Sequence, residues 1–196
     1  MNQIAILPRL LGSLMYLPVE HETNQAILSQ LSAIQDCFPW ESTDDVAQLI
    51  AKLEATKADL DEYAYSVLFE GQGEMVAPPW GSVYQDKENI VMGDSTGDFD
   101  LFLTRYGIEL TSKVEPNDQY GLMLWAMAAL LEDGQEEAVV ILLEQHLLTW
   151  AYRYLELLAA NQTSEFYATL AQLNTLFLQH LEHHMELTPK QVQLYK

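Results

Sequence analysis

The chain has 196 residues, of which 49% are apolar and 19% charged, a balance typical of one globular domain that buries its own core. Lys and Arg number 9 against 29 Asp and Glu, so the formal charge is −20. A field of that sign repels phosphate backbones and anionic lipids, which excludes nucleic acid and membrane surfaces as favoured partners and favours a cationic peptide, unless the acidic surface serves solubility alone.

The first residues, Met1 to Pro8, contain neither a basic start nor a small-residue cleavage site. No apolar run approaches the length that spans a bilayer. We therefore expect a cytoplasmic protein without stable membrane insertion. Cys37 is the only cysteine, which excludes an internal disulfide and a cysteine metal cluster. We expect no cofactor and no metal.

Apolar residues recur at helical spacing through the first part of the chain, and period-two alternation is absent. These runs are Leu10, Leu11 and Leu14; Ile27, Leu28, Leu31 and Ile34; Val46, Leu49, Ile50 and Leu53; and Leu60, Tyr63, Val67 and Leu68. Side chains that cap helix starts are predicted at Thr23, Thr43, Thr96 and Asn117, and helix ends at Gly71, Gly107 and Gly134.

The second half continues the helical pattern. Helices are predicted at 99–106, 119–133, 135–148, 149–161 and 164–185. The segment from Tyr120 to Leu131 is apolar nearly all round, which indicates a central buried helix. The prediction is an all-α single domain over residues 1–196, a bundle of about ten helices with one long functional loop at 70–97.

Paired prolines and two large aromatic residues stand out in that loop. Pro78 and Pro79 fix an extended backbone next to Trp80 and Tyr84. Such a loop can be a rigid platform for a peptide, because Trp and Tyr offer much contact area with few torsions to freeze. The alternative is that Trp80 is a lid over the core.

An acidic segment, Glu115-Pro116-Asn117-Asp118, precedes the buried helix. Its carboxylates can favour the positive end of the helix dipole, and a pair of them beside an aromatic loop can also grip guanidinium groups. Both interpretations stay open from the sequence.

Two groups of histidines are candidates for a functional role. His146 and Trp150 are four residues apart, so on a straight helix they would pack on each other in the core. His180, His183 and His184 lie on one side of a predicted helix and could bind a transition metal. Without a His-Glu-x-x-His pattern, we interpret any such affinity as adventitious.

Four motifs between residues 65 and 120 resemble one family. They are Tyr65-Ser-Val-Leu-Phe69-Glu-Gly71, Ala77-Pro-Pro-Trp80-Gly-Ser-Val-Tyr84, Gly93-Asp-Ser-Thr96 and Glu115-Pro-Asn-Asp118-Gln119. The chain resembles the TorD/DmsD/NarJ family of cytoplasmic molybdoenzyme chaperones, and the second and third motifs are most similar to the DmsD branch. The resemblance extends from Leu11 to Phe177.

That resemblance implies an all-helical fold and a binding role instead of an enzymatic one. The implied partner is the twin-arginine signal peptide of a molybdopterin oxidoreductase catalytic subunit, with dimethyl sulfoxide reductase as the expected client and the twin-arginine (Tat) translocase as a further implied partner. Holding the peptide would delay export until the cofactor is inserted. We expect a monomer, although domain-swapped dimers occur in the family.

The resemblance also implies a site, to which the residue chemistry adds roles. Glu115 and Asp118 are assigned to the basic residues of the peptide, and Trp80 and Tyr84 to its apolar part. The remaining predicted site residues are Pro78, Pro79 and Pro116, which would shape the groove, Ser82 and Gln119, which would contact the peptide backbone, and Tyr16.

The family motif is Glu-Pro-x-Asp-His, and its last position here is Gln119. This departure removes a titratable imidazole but keeps a hydrogen-bonding side chain. The chain also lacks a glycine-rich phosphate loop, so we do not predict nucleotide binding. Two other functions are alternatives: a chaperone that contacts the mature part of a different client, and a metal enzyme that uses the terminal histidines.

Overall fold

In the computed structural model, residues 3–110 and 115–196 are described, and these contain ten α-helices and one isolated antiparallel bridge, between Trp80 and Gln119. The helices in residues 3–110 are α1 (Gln3–Tyr16), α2 (Glu22–Leu28), α3 (Thr43–Thr56), α4 (Glu62–Phe69), α5 (Gly81–Gln85) and α6 (Asp94–Tyr106). The helices in residues 115–196 are α7 (Tyr120–Glu132), α8 (Glu136–Ile141), α9 (Ala151–Ala159) and α10 (Glu165–His184). The predicted all-α class is confirmed.

Three shorter helical segments link these elements. Leu31–Cys37 and Lys57–Asp59 are 3₁₀ turns, and Leu142–Leu147 is a π-helix that follows α8 directly. No helix in the described ranges combines the length and the apolar character that a membrane span requires.

Helices α1 and α7 form the closest helix pair. A Cβ atom added to Gly12 would lie 2.7 Å from the carbonyl oxygen of Gly121, and one added to Gly121 would lie 2.6 Å from that of Gly12. The two backbones therefore touch where no side chain fits. The ion pair of Arg9 with Glu132, at 2.7 Å, and the edge-to-face contact of Tyr16 with Trp125 show that the pair is antiparallel.

Helix α7 is buried as its composition predicts. Its apolar side chains are covered by α1 on one side and by the segments that follow it on the other. An aromatic cluster packs against it, with Tyr120 next to Trp150 and Tyr154. Helix α10 closes the other face, lying on α9 and α3.

The four predicted helix caps are wrong, whereas the three predicted ends are confirmed. The caps are His21, Ser42, Gly93 and Gln119, because the predicted residues lie inside their helices or, for Asn117, outside the first turn. Gly71, Gly107 and Gly134 follow α4, α6 and α7 with φ between 69° and 73°.

Two further expectations need correction. The segment 70–97 is not all loop, because it contains α5 and the start of α6 at Asp94. His146 and Trp150 do not share one straight helix, because the chain widens into the π-helix and turns before α9. His146 instead lies on Phe99 and Phe102, at 5.4 and 5.0 Å between ring centroids, and Trp150 stacks on Tyr84.

Candidate functional site

The proline-rich loop and the acidic segment lie side by side. The carbonyl of Pro79 accepts a hydrogen bond from the Tyr120 amide at 2.8 Å, and the Gly81 amide donates to the Asp118 carbonyl at 3.1 Å. This antiparallel bridge fixes the loop at the start of α7. Two segments that are more than 30 residues apart in the sequence therefore form one structural unit.

Trp80 connects the two segments through its side chain as well. Its indole nitrogen donates to Oε2 of Glu115 at 2.9 Å, and the residue is only 9% exposed. A hydrogen bond to a carboxylate is worth about 1.5–3 kcal/mol, more than one between neutral groups. Trp80 is thus largely a lid over the core, and it also orients the half-buried Glu115 carboxylate.

A cavity of about 210 Å³ lies beside Glu115. Three predicted site residues meet there: Tyr16, Glu115 and Gln119. The other lining residues are Leu17, Pro18, Tyr65, Phe69 and Glu70. The cavity therefore joins two carboxylates to aromatic and apolar walls.

Glu70, Tyr65 and Phe69 were not assigned to the site from the sequence. Tyr65 and Phe69 lie in the second half of α4 and Glu70 directly follows it, and the contact between Tyr65 and Tyr16 at the end of α1 brings them to Glu115. The Tyr65 hydroxyl donates to the carbonyl of Tyr16. Burial raises the pKa of the Tyr65 phenol, and the charges of Glu70 and Glu115 raise that pKa further. The one available signal was that these residues belong to the motif ending at Gly71.

Asp118 faces a different cavity from Glu115. Its Oδ2 accepts the Ser82 amide at 2.7 Å, at the start of α5, and the residue is 3% exposed. Burial raises the pKa of the Asp118 carboxyl, and the hydrogen bonds from Ser82 oppose that rise. The two carboxylates that were expected to grip a guanidinium together are therefore not in one pocket.

The cavity at Asp118 has a volume of about 260 Å³ and is more polar than the first. His146 and Trp150 line it from the π-helix side, and Lys190 lies over it from the C-terminal segment. Burial lowers the pKa of the His146 imidazole, Asp98 raises it, and Lys190 lowers it. The C-terminal segment is held there by the Tyr195 amide, which donates to the Tyr84 carbonyl at 2.8 Å.

Ser82 and Tyr84, two other predicted site residues, are both fully buried. The ring of Tyr84 stacks on Trp150 at 5.3 Å between centroids. A Cβ atom at Gly81 would lie 2.8 Å from the Trp150 indole nitrogen, so only glycine fits above that ring. These residues form the base of the loop, and the Tyr84 ring is not open to a peptide in this conformation.

Both polar atoms of the Gln119 side-chain amide form hydrogen bonds inside the protein. Its Oε1 accepts the Leu122 amide at 3.0 Å and so caps α7, and its Nε2 donates to the Met15 carbonyl at 2.9 Å. The side chain ties α7 to the end of α1. The residue that replaces the family histidine thus holds the floor of the cavity at Glu115.

The predicted prolines surround the same unit. Pro78 and Pro79 are buried and keep the loop extended, and the Pro116 carbonyl accepts the Gln119 amide at 3.1 Å. Of the predicted site residues, Tyr16, Glu115 and Gln119 line the cavity at Glu115. Pro78, Pro79, Trp80 and Pro116 do not line it but belong to the loop and the acidic segment that are bonded to each other beside it. Asp118, Ser82 and Tyr84 lie behind it.

The terminal histidines contact Glu41 and each other. His183 Nδ1 lies 2.9 Å from Oε1 of Glu41, and His180 stacks on His184 at 5.5 Å. Across residues 3–110 and 115–196 there is no group of three or more His, Cys, Asp or Glu side chains that could hold a metal ion.

Comparison with known proteins identifies one family. Residues 35–156 match the model of the family described as nitrate reductase delta subunit. The chain is 33% identical to a probable Tat proofreading chaperone DmsD of Haemophilus influenzae, over all of this chain and 98% of that protein. It is 31% identical to the Tat proofreading chaperone DmsD of Salmonella typhi, over 90% of this chain and 88% of that one.

A solved structure shows the same fold. It is a putative redox enzyme maturation protein from Archaeoglobus fulgidus, with a TM-score of 0.58, 18% sequence identity, and coverage of 91% of this chain and 94% of that chain. At that identity the likeness concerns the fold alone.

Proposed function

Because the chain belongs to the nitrate reductase delta subunit family, the TorD/NarJ/DmsD group of Tat proofreading chaperones, we propose that it binds a twin-arginine signal peptide. The family resemblance of the four motifs is confirmed, and the family consists of chaperones for redox enzyme maturation instead of catalysts. The peptide would come from the catalytic subunit of a molybdoenzyme.

The observation that carries this proposal is the cavity shared by Glu70 and Glu115. A twin-arginine signal presents two guanidinium groups followed by an apolar stretch. Carboxylates bind guanidinium through charge-assisted, often bidentate hydrogen bonds, and the half-buried Tyr16 offers a ring on which the planar cation or an apolar side chain can pack. A carboxylate has two oxygens and about four acceptor positions, so Glu115 can accept from a peptide while it holds Trp80.

The proposed site divides into contacting and positioning residues. Glu70, Glu115 and Tyr16 contact the peptide, and the buried Phe69 forms part of the apolar wall behind them. A second group orients these side chains from behind: Trp80, Gln119, Asp118, Ser82, Tyr84, Pro78, Pro79 and Pro116. Asp118 acts through the Ser82 amide and so supports the loop that carries Trp80.

We further propose dimethyl sulfoxide reductase as the client, on the likeness of the Pro78 to Val83 and Gly93 to Thr96 motifs to the DmsD branch. The chaperone would act in the cytoplasm, as one domain and as a monomer, and would hand its client to the Tat translocase after cofactor insertion. Release requires moderate affinity, and a micromolar dissociation constant corresponds to about −8 kcal/mol.

The proposal is tested by calorimetric titration with a twin-arginine signal peptide of a dimethyl sulfoxide reductase subunit, beside its Lys-Lys variant, at low and moderate salt. We expect saturable binding that weakens in both the Lys-Lys variant and higher salt, because Lys cannot make the bidentate contact and salt screens the carboxylates. Binding that is insensitive to both changes would exclude the acidic cavity as the recognition site.

The absence of binding would instead point to the second candidate, a chaperone that recognises the mature part of a client. Exchange of signal peptides between two clients separates the candidates. If the chaperone binds whichever client carries the original signal peptide, the signal is the recognised element.

A further inference from the structure

A third cavity, larger than those at Glu115 and Asp118, has a volume of about 540 Å³ and lies at the other end of the α1–α7 pair. Most of its wall is apolar, with Met127 from α7, Val140 from α8, Leu181 from α10 and Phe38 from the turn after the 3₁₀ segment 31–37. Its volume lies in the range of sites that hold ligands or partner side chains. We call this cavity the far groove.

The far groove is separate from the cavity at Glu115. Ile4, near the start of α1, and Leu131, near the end of α7, line the far groove, whereas Tyr16 and Gln119 line the other cavity. Helical rise places the two ends of α7 about 18 Å apart. Both cavities can therefore be engaged at the same time.

His180 provides a polar group in this apolar surface. The residue is 8% exposed, and within the described ranges its Nδ1 has no hydrogen-bond partner. Oε1 of Glu41 lies 3.7 Å from this nitrogen, which is beyond hydrogen-bond distance. The ring packs on Phe38 at 4.7 Å between centroids, so its position is fixed. A buried polar atom of this kind favours a partner that supplies a hydrogen bond.

The groove continues past His180. A neighbouring cavity of about 240 Å³ shares His180 and is lined by Trp40, Glu41 and His183. The two cavities meet at His180 and involve residues of the 3₁₀ turn region, α7, α8 and α10, so a polypeptide segment could contact both.

Acidic side chains flank this surface. Glu136 and Glu137, both exposed in the first turn of α8, line the far groove, and the exposed Glu41 stands at the neighbouring cavity. The chain carries a formal charge of −20, so a second copy would meet like charge there. The charge pattern therefore selects a basic occupant.

We propose that the far groove is a second docking site, which takes an amphipathic, positively charged segment of a partner polypeptide. Its apolar side chains enter between Met127, Val140 and Met185, and its Lys or Arg residues reach Glu136 and Glu137. A polar group of the same segment hydrogen-bonds to His180. This site is independent of signal-peptide binding at Glu115.

The probe is a fluorescent helical peptide of Leu and Lys with the Lys residues on one face. Two further peptides serve as controls: one with Glu in place of Lys, and one with the same composition in an order that has no apolar face. Anisotropy is measured on the full chain saturated with the twin-arginine peptide, so that the cavity at Glu115 is occupied. If that peptide does not bind, the measurement is made on the Glu70→Gln/Glu115→Gln chain, and the two proposals are judged separately.

Three variants locate the binding. Glu137→Lys should weaken it about fivefold, since an exposed ion pair is worth up to about 1 kcal/mol. Met185→Gln keeps the side-chain length but puts an amide on the groove wall, and should weaken binding about tenfold. Asp44→Lys is the matched control for Glu137→Lys, because both acids are exposed second residues of a helix. It should bind within twofold of wild type.

Several results would overturn the docking site. These are equal binding by Glu137→Lys and Asp44→Lys, binding of the Glu peptide as strong as that of the Lys peptide, and no effect of Met185→Gln. A dimer that the Lys peptide does not dissociate and that Met185→Gln abolishes would assign the groove to self-association instead.

Discussion

The indole N–H of Trp80 donates to the Glu115 carboxylate across 2.9 Å and joins the proline-rich loop to the acidic segment. The sequence left two interpretations of Trp80, as a lid over the core or as part of a peptide surface. This contact combines them, because a largely buried ring orients a carboxylate at the edge of a cavity. In the proposed site, Trp80 would therefore act on the peptide mainly through Glu115.

Replacement of Trp80 by Phe tests this arrangement. The variant keeps most of the buried ring but removes the N–H donor, so Glu115 loses one restraint. We expect weaker twin-arginine peptide binding by about 1 kcal/mol, about fivefold, measured by calorimetry. In Glu115→Gln the same replacement should have a much smaller effect, because the two residues act as one unit.

A full effect of Trp80→Phe in the Glu115→Gln background would mean that the ring contacts the peptide directly. Circular dichroism of both variants serves as the control for folding.

The glycine contact between α1 and α7 predicts a stability effect. Gly121→Ala forces a Cβ atom to 2.6 Å from the Gly12 carbonyl oxygen and 2.8 Å from the Tyr16 Cβ, so the helices must separate. We expect a loss of about 1–3 kcal/mol of unfolding free energy in urea denaturation. Because Tyr16 and Gln119 shape the cavity at Glu115, peptide binding should weaken as well.

Gly97→Ala is the matched control. Gly97 lies inside α6, is exposed, and has nothing within 4 Å of an added Cβ. Ala there should raise the unfolding free energy by up to about 1 kcal/mol. A loss of stability as large as that of Gly121→Ala would show that the effect does not come from helix contact.

Asp118 predicts a specific pH dependence. Its pKa is raised in the folded protein, so the folded state binds a proton more readily than the unfolded state, whose pKa is near 3.8. The Asp118 contribution to stability is therefore complete below about pH 4 and is lost as pH rises through the folded pKa. Asp118→Asn keeps an oxygen for the Ser82 amide and removes this dependence.

The measurement is urea unfolding of wild type and Asp118→Asn between pH 4 and 8. The unfolding free energy of the variant relative to wild type should increase with pH and then level off. A difference that stays constant, or decreases, would show that burial of this charge carries no cost. Asp118→Ala is less informative, because loss of the buried acceptor costs about 1–3 kcal/mol by itself.

Helix positions and the burial of α7 were predictable from the sequence because both follow from local periodicity. The segment Tyr120 to Leu131 is apolar on every side, and it lies inside the protein. The turn to a π-helix at Leu142 could not be predicted, since His146 and Trp150 have ordinary helical spacing and only their tertiary partners separate them.

The candidate site was predictable to the level of segments but not of side-chain direction. Glu115 and Asp118 are three residues apart, yet the tight turn ahead of α7 points them into different cavities. Glu70 was missed because its place beside Glu115 depends on how α4 packs on α1. Gln119 was recognised as a departure from the family motif, whereas its two hydrogen bonds depend on the fold.

The most direct test of the central claim is a calorimetric titration of the twin-arginine peptide into Glu70→Gln/Glu115→Gln. Asp44→Asn/Glu22→Gln is the matched control, since it makes the same change of net charge at exposed helix starts. If the acidic cavity holds the two arginines, the first variant should bind at least about thirtyfold more weakly and lose its preference over the Lys-Lys peptide, while the control binds as wild type. Equal weakening in both variants would contradict the account, because binding would then depend on net charge and not on the cavity at Glu115.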